Sequence, residues 1–138
     1  MLAPKKEKHR KWHRGDKIKG KATRMTKLSF GDYGLKSTSA GWVSARQIES
    51  ARRAIVGHIE RIGDVYIRIF PDKPITAKGN EMPMGKGKGA VDHYVAVVKP
   101  GTIIFEMKGI DKEAARRAMQ LAGHKLSVKT KFVTKDLV

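Results

Sequence analysis

The chain has 138 residues, 40% of them hydrophobic, which suits one domain with a modest core. It contains no cysteine, which excludes a disulfide framework and a thiolate zinc site, and no apolar run approaches the ~18 residues of a membrane-spanning helix. Thirty Lys and Arg against 13 Asp and Glu give a formal net charge of +17. Because self-repulsion of that size opposes compaction, a polyanionic partner is expected.

Residues 1–27 are predicted to form a basic arm, because they hold eleven Lys and Arg, only two acids and few large apolar side chains. Such a segment does not fold on burial energy alone, so we expect it to be extended or disordered when free. Trp12 lies between Lys11 and His13, an arrangement that suits stacking on a base while neighbouring cations hold phosphates. The alternative is that Trp12 packs on the domain and the cations are solvated. The arm lacks the apolar centre of a secretory signal, so the protein is expected to work where it is made.

Residues 27–37 suggest an irregular strand with Gly31 and Gly34 at bends. A helix is predicted next, because Ser44 and Gln47 have capping-box spacing and Gly63 lies where a helix would end. At 100° per residue its inward face is Ile48, Ala51, Ile55, Ile59 and Ile62. Its outer face carries Arg46, Arg53 and Arg61 beside Glu49 and Glu60, with Arg52 at the edge of the apolar stripe. That face is either an RNA-binding surface or an ordinary ion-paired one.

The second half of the chain predicts further strands around one more helix. Residues 64–70 indicate a strand, 71–89 a long loop, and 90–107 a hairpin joined by Lys99-Pro100-Gly101. A helix capped by Asp111 follows, and a last strand contains Val128 and Phe132. The inward face of that helix is predicted to be Ala115, Ala118, Met119, Ala122 and Leu126.

The predicted fold class is therefore α+β, with two helices packed on one face of a largely antiparallel sheet. Residues 28–138 are predicted to form a single globular domain that contains a functional loop at about 71–90.

No catalytic or metal site is predicted. The five histidines are scattered along the chain, and the basic surroundings would repel a cation. No Ser, His and acid arrangement stands out, and no cofactor or small-molecule substrate is expected.

The glycine-rich segment does not fit the nucleotide-binding motifs. Gly79 and Gly85 have five residues between them and Gly87 follows Lys86, so a Walker A loop fails on spacing. A dinucleotide fingerprint would open a helix, whereas this segment precedes a β-rich run. Glycines at this density allow the backbone to approach a phosphate surface closely, while Lys86 and Lys88 add charge. The alternative is a flexible linker.

The chain resembles bacterial-type large-subunit ribosomal protein sixteen, of the universal family shared with the archaeal and eukaryotic L-ten-e proteins. The segments "MLAPKK", "SFGDYGLK", "ARQIESARRA", "IRIFPDKPIT", "MGKGKG" and "KTKFVTK" carry the resemblance, from Met1 to about Lys135. It implies an α+β sandwich that binds large-subunit (23S-type) rRNA beside other large-subunit proteins and supports translation without being an enzyme. It also implies contact with A-site tRNA near the peptidyl-transferase centre and leaves contact with P-site tRNA open.

The resemblance carries over residue by residue. It assigns a tRNA-facing loop to Met84, Gly85, Lys86, Gly87, Lys88 and Gly89. It assigns rRNA binding to the arm residues around Lys5, Lys6, Arg10, Lys11 and Arg14, which include Lys8, and to Arg46, Arg52 and Arg53 of the helix. Trp12 is added to the predicted rRNA-binding residues because it lies among the cations of the arm. One departure is Pro83, where many family members have arginine, so an arginine contact with RNA is not expected there.

Two other classes of function fit the charge. A free RNA chaperone or translation factor would also be basic, but would not insert its arm permanently into one RNA. An enzyme acting on RNA would need an acid–base or metal constellation that the sequence does not present. The compartment is expected to be the cytoplasm, with an organellar ribosome left open.

Overall fold

The computed structural model describes residues 1–5, 18–77 and 90–135. Within these ranges the chain forms two helices and seven strands, which confirms the predicted α+β class. In chain order the elements are β1 (Tyr33–Ser37), β2 (Gly41–Ser44), α1 (Ala45–His58), β3 (Asp64–Ile67), β4 (Lys73–Ala77), β5 (Ala90–Val98), β6 (Ile103–Lys108), α2 (Lys112–Gly123) and β7 (Thr130–Thr134).

The strands form two antiparallel sheets rather than the single sheet expected from the sequence. The four-stranded sheet has the order β3-β6-β1-β7 and the three-stranded sheet the order β2-β5-β4. The prediction of a hairpin over residues 90–107 is therefore wrong, because β5 and β6 belong to different sheets. Each of them already has a partner on both sides, so they cannot pair with each other. The turn at Lys99–Thr102, with Gly101 at φ 98°, carries the chain from one sheet to the other.

Helix α1 begins as predicted. The Ser44 side chain accepts a hydrogen bond from the Gln47 backbone N–H, and the Gln47 side chain accepts one from the Ser44 N–H. This reciprocal capping box satisfies two backbone donors that the first turn would otherwise leave open. It fixes the start of the helix, and hence which residues lie on its outer face.

The end of α1 differs from the prediction. The helix ends at His58, Ile59 is its C-cap, and Glu60 and Arg61 then adopt positive φ angles of 53° and 64°. The 100° periodicity does not continue past that point. Ile59 is therefore buried, but Ile62 is 60% exposed, and its predicted place in the core is wrong.

Helix α2 follows its prediction closely. The Asp111 carboxylate accepts a hydrogen bond from the Ala114 N–H, and Ala115, Ala118, Met119 and Ala122 are buried. Leu126, just past the helix, is partly buried against the core. The small alanine side chains allow close packing, and α2 lies against α1, β1 and β7. The shared core is filled by large buried side chains that include Leu35, Ile48, Ile55, Phe105 and Met107.

Strand β4 lies within the loop predicted at 71–89, and the sequence pattern did not predict it. β4 lacks alternating hydrophobicity and includes Pro74, which argues against a central strand. β4 pairs only with β5 and lies at the edge of its sheet, where proline is tolerated. The preceding strand, β3, is correspondingly shorter than the predicted 64–70.

Glycines near β1 are required for close packing. Gly34 lies within the strand rather than at a bend, and a Cβ there would come within 2.5 Å of the Leu28 Cδ2 atom. A Cβ on Gly31 would lie 2.6 Å from the Met107 carbonyl oxygen. These contacts leave no space for a side chain, so the segment before β1 packs directly on β6.

Part of the predicted arm contacts the domain. The Ala22 N–H donates to the Pro100 carbonyl at 2.9 Å, and the Met25 carbonyl accepts from the Ile103 N–H at 2.8 Å. Leu2 packs against the hydrophobic core. The predicted division into an arm and a domain stays a prediction.

Candidate nucleic-acid interface

The outer face of α1 carries the described part of the predicted rRNA site. Arg46 and Arg53 are exposed, and the Arg52 side chain is 37% exposed at the edge of the helix face. All three positions follow from the capped start of the helix and its apolar inner stripe. The structure therefore places the three arginines on one helix, as the sequence predicted.

Glu49 pairs with two of these arginines. Its Oε1 lies 2.5 Å from the Arg52 Nη2 and 3.1 Å from the Arg53 Nε, and its Oε2 accepts from the Arg52 Nε at 3.2 Å. The hydrogen bonds from Arg52 have the largest effect on the pKa of Glu49 and outweigh the opposing effect of partial burial. Together with the hydrogen bond from Arg53, they lower this pKa from 4.5 to about 2. The same pairing raises the pKa of Arg52. The carboxylate therefore stays ionised at any physiological pH and holds both guanidinium groups side by side.

The paired arginines keep donors for an RNA backbone. A guanidinium group has five N–H donors. Arg52 directs its Nε and Nη2 to Glu49, and Arg53 only its Nε, so the remaining N–H groups are available to phosphate oxygens. Arg46 has no ion pair among the residues that the structure describes. The face combines two oriented guanidinium groups with a third, uncompensated one.

Strands β4 and β5 form a ribbon that leads to the glycine- and lysine-rich segment. Their antiparallel pairing runs to Ala77 opposite Ala90, so the two strand ends that flank residues 78–89 in the sequence lie side by side. Burial decreases along the ribbon toward that end: Val95, Ala96 and Val98 of β5 are buried, whereas Ala90 and Asp92 are exposed. The exposed end of the ribbon is therefore the end that borders the glycine- and lysine-rich segment in the sequence.

The base of the ribbon is held by a cation–aromatic contact. The Lys73 Nζ lies 4.6 Å from the centre of the Trp42 ring, and Lys73 is 9% exposed. Trp42 lies on β2, at the opposite edge of the three-stranded sheet. Such a contact contributes roughly 0.5–2 kcal/mol, more when it is desolvated. It joins the two outer strands across β5.

A buried carboxylate that the sequence analysis missed anchors the segment before β1. Glu106 is fully buried, and its Oε1 accepts the backbone N–H groups of Ser29, Phe30 and Gly31, each at 2.9 Å. Its Oε2 pairs with the Arg68 guanidinium group, whose side chain is 14% exposed. The acceptor thus fixes three consecutive residues where the predicted arm meets the domain.

The surroundings of Glu106 decide its protonation. Burial alone would raise the pKa of its carboxyl, but the Gly31 N–H, the Arg68 guanidinium group and the N–H groups of Phe30 and Ser29 together lower it below 4.5. Arg68 also covers the Phe30 ring, with its Cζ 5.2 Å from the ring centre. A signal existed in the sequence, since Glu106 and Arg68 are opposite charges that each interrupt an apolar run. Their pairing depends on the tertiary fold.

Most of the other predicted site residues lie outside the described residues. Lys5 is exposed. The positions that cannot be compared are Lys6, Lys8, Arg10, Lys11, Trp12, Arg14, Pro83, Met84, Gly85, Lys86, Gly87, Lys88 and Gly89.

The described ranges contain no group of three or more His, Asp or Glu side chains that could hold a metal ion. No helix in those ranges is both long and apolar enough to cross a membrane.

An arginine-bearing helix face on a strongly basic α+β body is the arrangement expected of a protein that binds a polyanion. The sequence matches the family described as ribosomal protein L16p/L10e over residues 4–133. It is also 53% identical over 135 residues to the large ribosomal subunit protein uL16c of Trieres chinensis, an alignment that covers 98% of each chain. The chain belongs to the ribosomal protein L16p/L10e family. It is a structural constituent of the large ribosomal subunit, with rRNA and ribosomal proteins as partners, and not an enzyme.

Proposed function

We propose that the chain anchors itself on large-subunit rRNA through the predicted arm and the outer face of α1, and presents its glycine- and lysine-rich loop to A-site tRNA. Contact of the same loop with P-site tRNA is a further part of this proposal. The protein then supports translation by position, since it neutralises packed phosphates and holds tRNA geometry. Bacterial-type ribosomes of the cytoplasm and of organelles both fit the chain.

The α1 part of the proposal is supported by the arrangement around Glu49. A carboxylate that pairs with Arg52 and Arg53 reduces their local charge from two to one. It also restricts both side chains, so less conformational entropy is lost when they bind phosphate. This arrangement suits recognition of a defined RNA backbone better than indiscriminate attraction to any polyanion.

The α1 proposal is tested by neutralising Arg46 and Arg53 together, both to glutamine. We expect the affinity of the full chain for large-subunit rRNA to fall about 10-fold or more, because two phosphate contacts are lost. Arg61→Gln with Lys108→Gln removes the same charge elsewhere and serves as the control, because Arg61 lies past the end of α1 at His58 and not on its outer face. An equal loss in the two double variants would contradict a specific α1 contact, since only net charge would then matter.

The observation that carries the tRNA proposal is the β4–β5 ribbon with its exposed end. Its strands are paired up to Ala77 and Ala90, while their burial decreases toward that end. Gly85, Gly87 and Gly89 in the segment that follows have no side chain to bury, so core packing does not explain them. A segment of glycine and lysine beside such a stem is suited to enter a space between RNA backbones, where larger side chains would clash.

The loop is tested by Lys86→Ala with Lys88→Ala in reconstituted large subunits. We expect near-normal subunit yield but weaker tRNA binding, because two lysines are a small part of a +17 protein. Lys108→Ala with Lys112→Ala is the control, since both lysines are exposed and lie outside the predicted arm, the α1 face and the loop. Normal tRNA affinity with a collapsed subunit yield would show that the loop serves assembly instead.

A further inference from the structure

A second basic surface lies between α2 and β7, away from the arginines of α1. It is an open groove of about 870 Å³. One wall comes from α2 and carries Arg116 and Arg117, and the other comes from the start of β7 and carries Lys129 and Lys131. All four side chains belong to exposed residues.

The groove has an uncompensated positive charge. Glu113 is its only carboxylate among the residues that the structure describes, so its four permanent cations leave a surplus of three charges. None of these cations forms an ion pair within the described ranges. Arg117 donates only to the neutral Gln120 side chain, at 2.8 Å. On α1, by contrast, Glu49 compensates one of the two positive charges of Arg52 and Arg53.

Protection of a sheet edge is a simpler explanation for the two lysines, but it does not explain the two arginines of the groove. β7 is an edge strand, and lysines on such strands prevent pairing with other chains. That role does not require Arg116 and Arg117, which lie on the helix. Arg116 and Arg117 and the lysines at the strand edge line the same groove, which favours a shared ligand.

The chemistry of the groove favours a nucleic-acid backbone. Arginine forms two parallel hydrogen bonds to a phosphate, and lysine adds a point charge. Phe132, which is partly exposed, also lines the groove and offers apolar surface to a ribose or a base. An acidic peptide would satisfy the charge, but a chain whose partner is rRNA meets phosphates at far higher density.

We propose that the α2–β7 groove binds the sugar-phosphate backbone of large-subunit rRNA, as a contact separate from the α1 face and the predicted arm. This inference rests on the rRNA binding of the family and does not depend on the tRNA-facing loop. The groove then holds one RNA strand against the arginines of α2, with the lysines at the edge of β7 beside it. It would fix the orientation of the domain on the rRNA, since α1 and α2 would contact the RNA at separate points.

The first test removes one cation from each wall, in Arg116→Gln with Lys131→Gln. The control, Arg61→Gln with Lys108→Gln, also removes one arginine and one lysine, and Lys108 lies next to β3 at the opposite edge of the sheet. Binding of the full chain to transcribed large-subunit rRNA is measured over a series of KCl concentrations, with competitor RNA present. Urea midpoints establish that both variants fold equally well.

We expect the groove variant to bind about 10-fold or more weakly than the control, with a log–log salt slope shallower by roughly 1.5–2. Identical affinity and slope in the two variants would overturn the proposal. Aggregation of the groove variant without a loss of affinity would assign the lysines to edge protection. Normal rRNA affinity with failed incorporation alongside other ribosomal proteins would assign the groove to an acidic protein partner. Either result would also overturn it.

A second test uses the absence of cysteine from the chain. Gln120→Cys gives a single attachment point in the groove for a tethered iron chelate that generates hydroxyl radicals. We expect cleavage of the rRNA at one discrete region, and loss of that cleavage when the two groove cations are also neutralised. Cleavage that is unchanged by neutralisation would mean that RNA passes near the groove without being bound in it. Because no tRNA is present, failure of the loop proposal leaves both readouts unaffected.

Discussion

At the scale of single residues, two glutamates use similar chemistry for different ends. Glu49 is partly exposed and holds two arginines on a helix surface, whereas Glu106 is fully buried and holds backbone. A buried carboxylate is costly unless its lone pairs are satisfied. Three N–H groups and Arg68 satisfy Glu106, so removal of its charge would leave Arg68 without its charged partner and weaken the bonds from the three N–H groups.

Glu106→Gln is expected to lower the free energy of unfolding by about 3 kcal/mol, because Arg68 would remain largely buried without its partner. Urea denaturation of the purified chain measures this change. Glu60→Gln is the control, since that residue is exposed and a change of about 0.5 kcal/mol or less is expected. Adding Arg68→Met to Glu106→Gln should recover part of the loss. A loss no larger than that of Glu60→Gln would show that the pair does not matter.

Stability is also expected to depend on pH through Glu106. The pKa of Glu106 is 4.5 in the unfolded chain and lower in the folded state. Its contribution to the free energy of unfolding is therefore fully present above pH 4.5 and is lost as pH falls through the folded pKa. The difference in unfolding free energy between the wild type and Glu106→Gln is expected to be constant from about pH 7 to about pH 5 and then to shrink. Urea midpoints at several pH values measure it. A difference that persists unchanged in strong acid would contradict the assignment.

At the scale of elements, α1 and the β4–β5 ribbon are specified in different ways. α1 has a local start signal in Ser44 and Gln47 and a periodic apolar face, and both follow from neighbouring residues. The ribbon has weak local signals, and β4 acquires its strand geometry from pairing with β5. A bulge, where the register shifts between Ile75 and Thr76, increases the local twist of the ribbon. The proposed rRNA face is therefore set locally, whereas the proposed tRNA-facing loop depends on the sheet.

Ser44→Ala is expected to destabilise the protein by about 1 kcal/mol, because the Gln47 N–H loses its side-chain acceptor. Ser50→Ala is the comparison within the same helix. Ser50 is exposed in the helix interior, where alanine has the higher helix propensity, so a gain of about 0.5 kcal/mol is expected. Thermal and urea unfolding of both variants measure the two changes. Similar effects in the two variants would mean that the capping box contributes nothing.

At the scale of the whole molecule, excess charge is combined with a small core. The two helices pack on each other and against strands of both sheets, and this places the apolar side chains in one cluster. The charge of +17 remains outside that cluster and opposes compaction until phosphates neutralise it. Binding to rRNA is therefore expected to stabilise the fold as well as to locate the protein.

Affinity for rRNA is expected to depend steeply on salt. If ~6–10 phosphates are neutralised, affinity falls by roughly 10³–10⁵ between about 50 and 200 mM salt. Filter binding of the full chain to large-subunit rRNA across that range measures the slope. An affinity that hardly changes would mean that stacking or shape dominates the contact.

The sequence by itself determined the elements that depend on near neighbours. Both helices, their capping residues and most of their buried faces were predictable, because capping and 3.6-residue periodicity act within a few residues. The arginines of α1 were predictable for the same reason. Ile62 was not, since the positive φ angles of Glu60 and Arg61 ended the periodicity that placed it in the core.

Only the tertiary structure decided which strands pair and which charges meet. β5 and β6 are adjacent in sequence and both rich in β-branched residues, yet each is paired on both sides within a different sheet. Glu106 and Arg68 meet because β6 and β3 are neighbours, and the α2–β7 groove exists because β7 lies at a sheet edge beside α2. Strand pairing and burial depend on contacts between residues far apart in the chain, and local sequence patterns do not specify them.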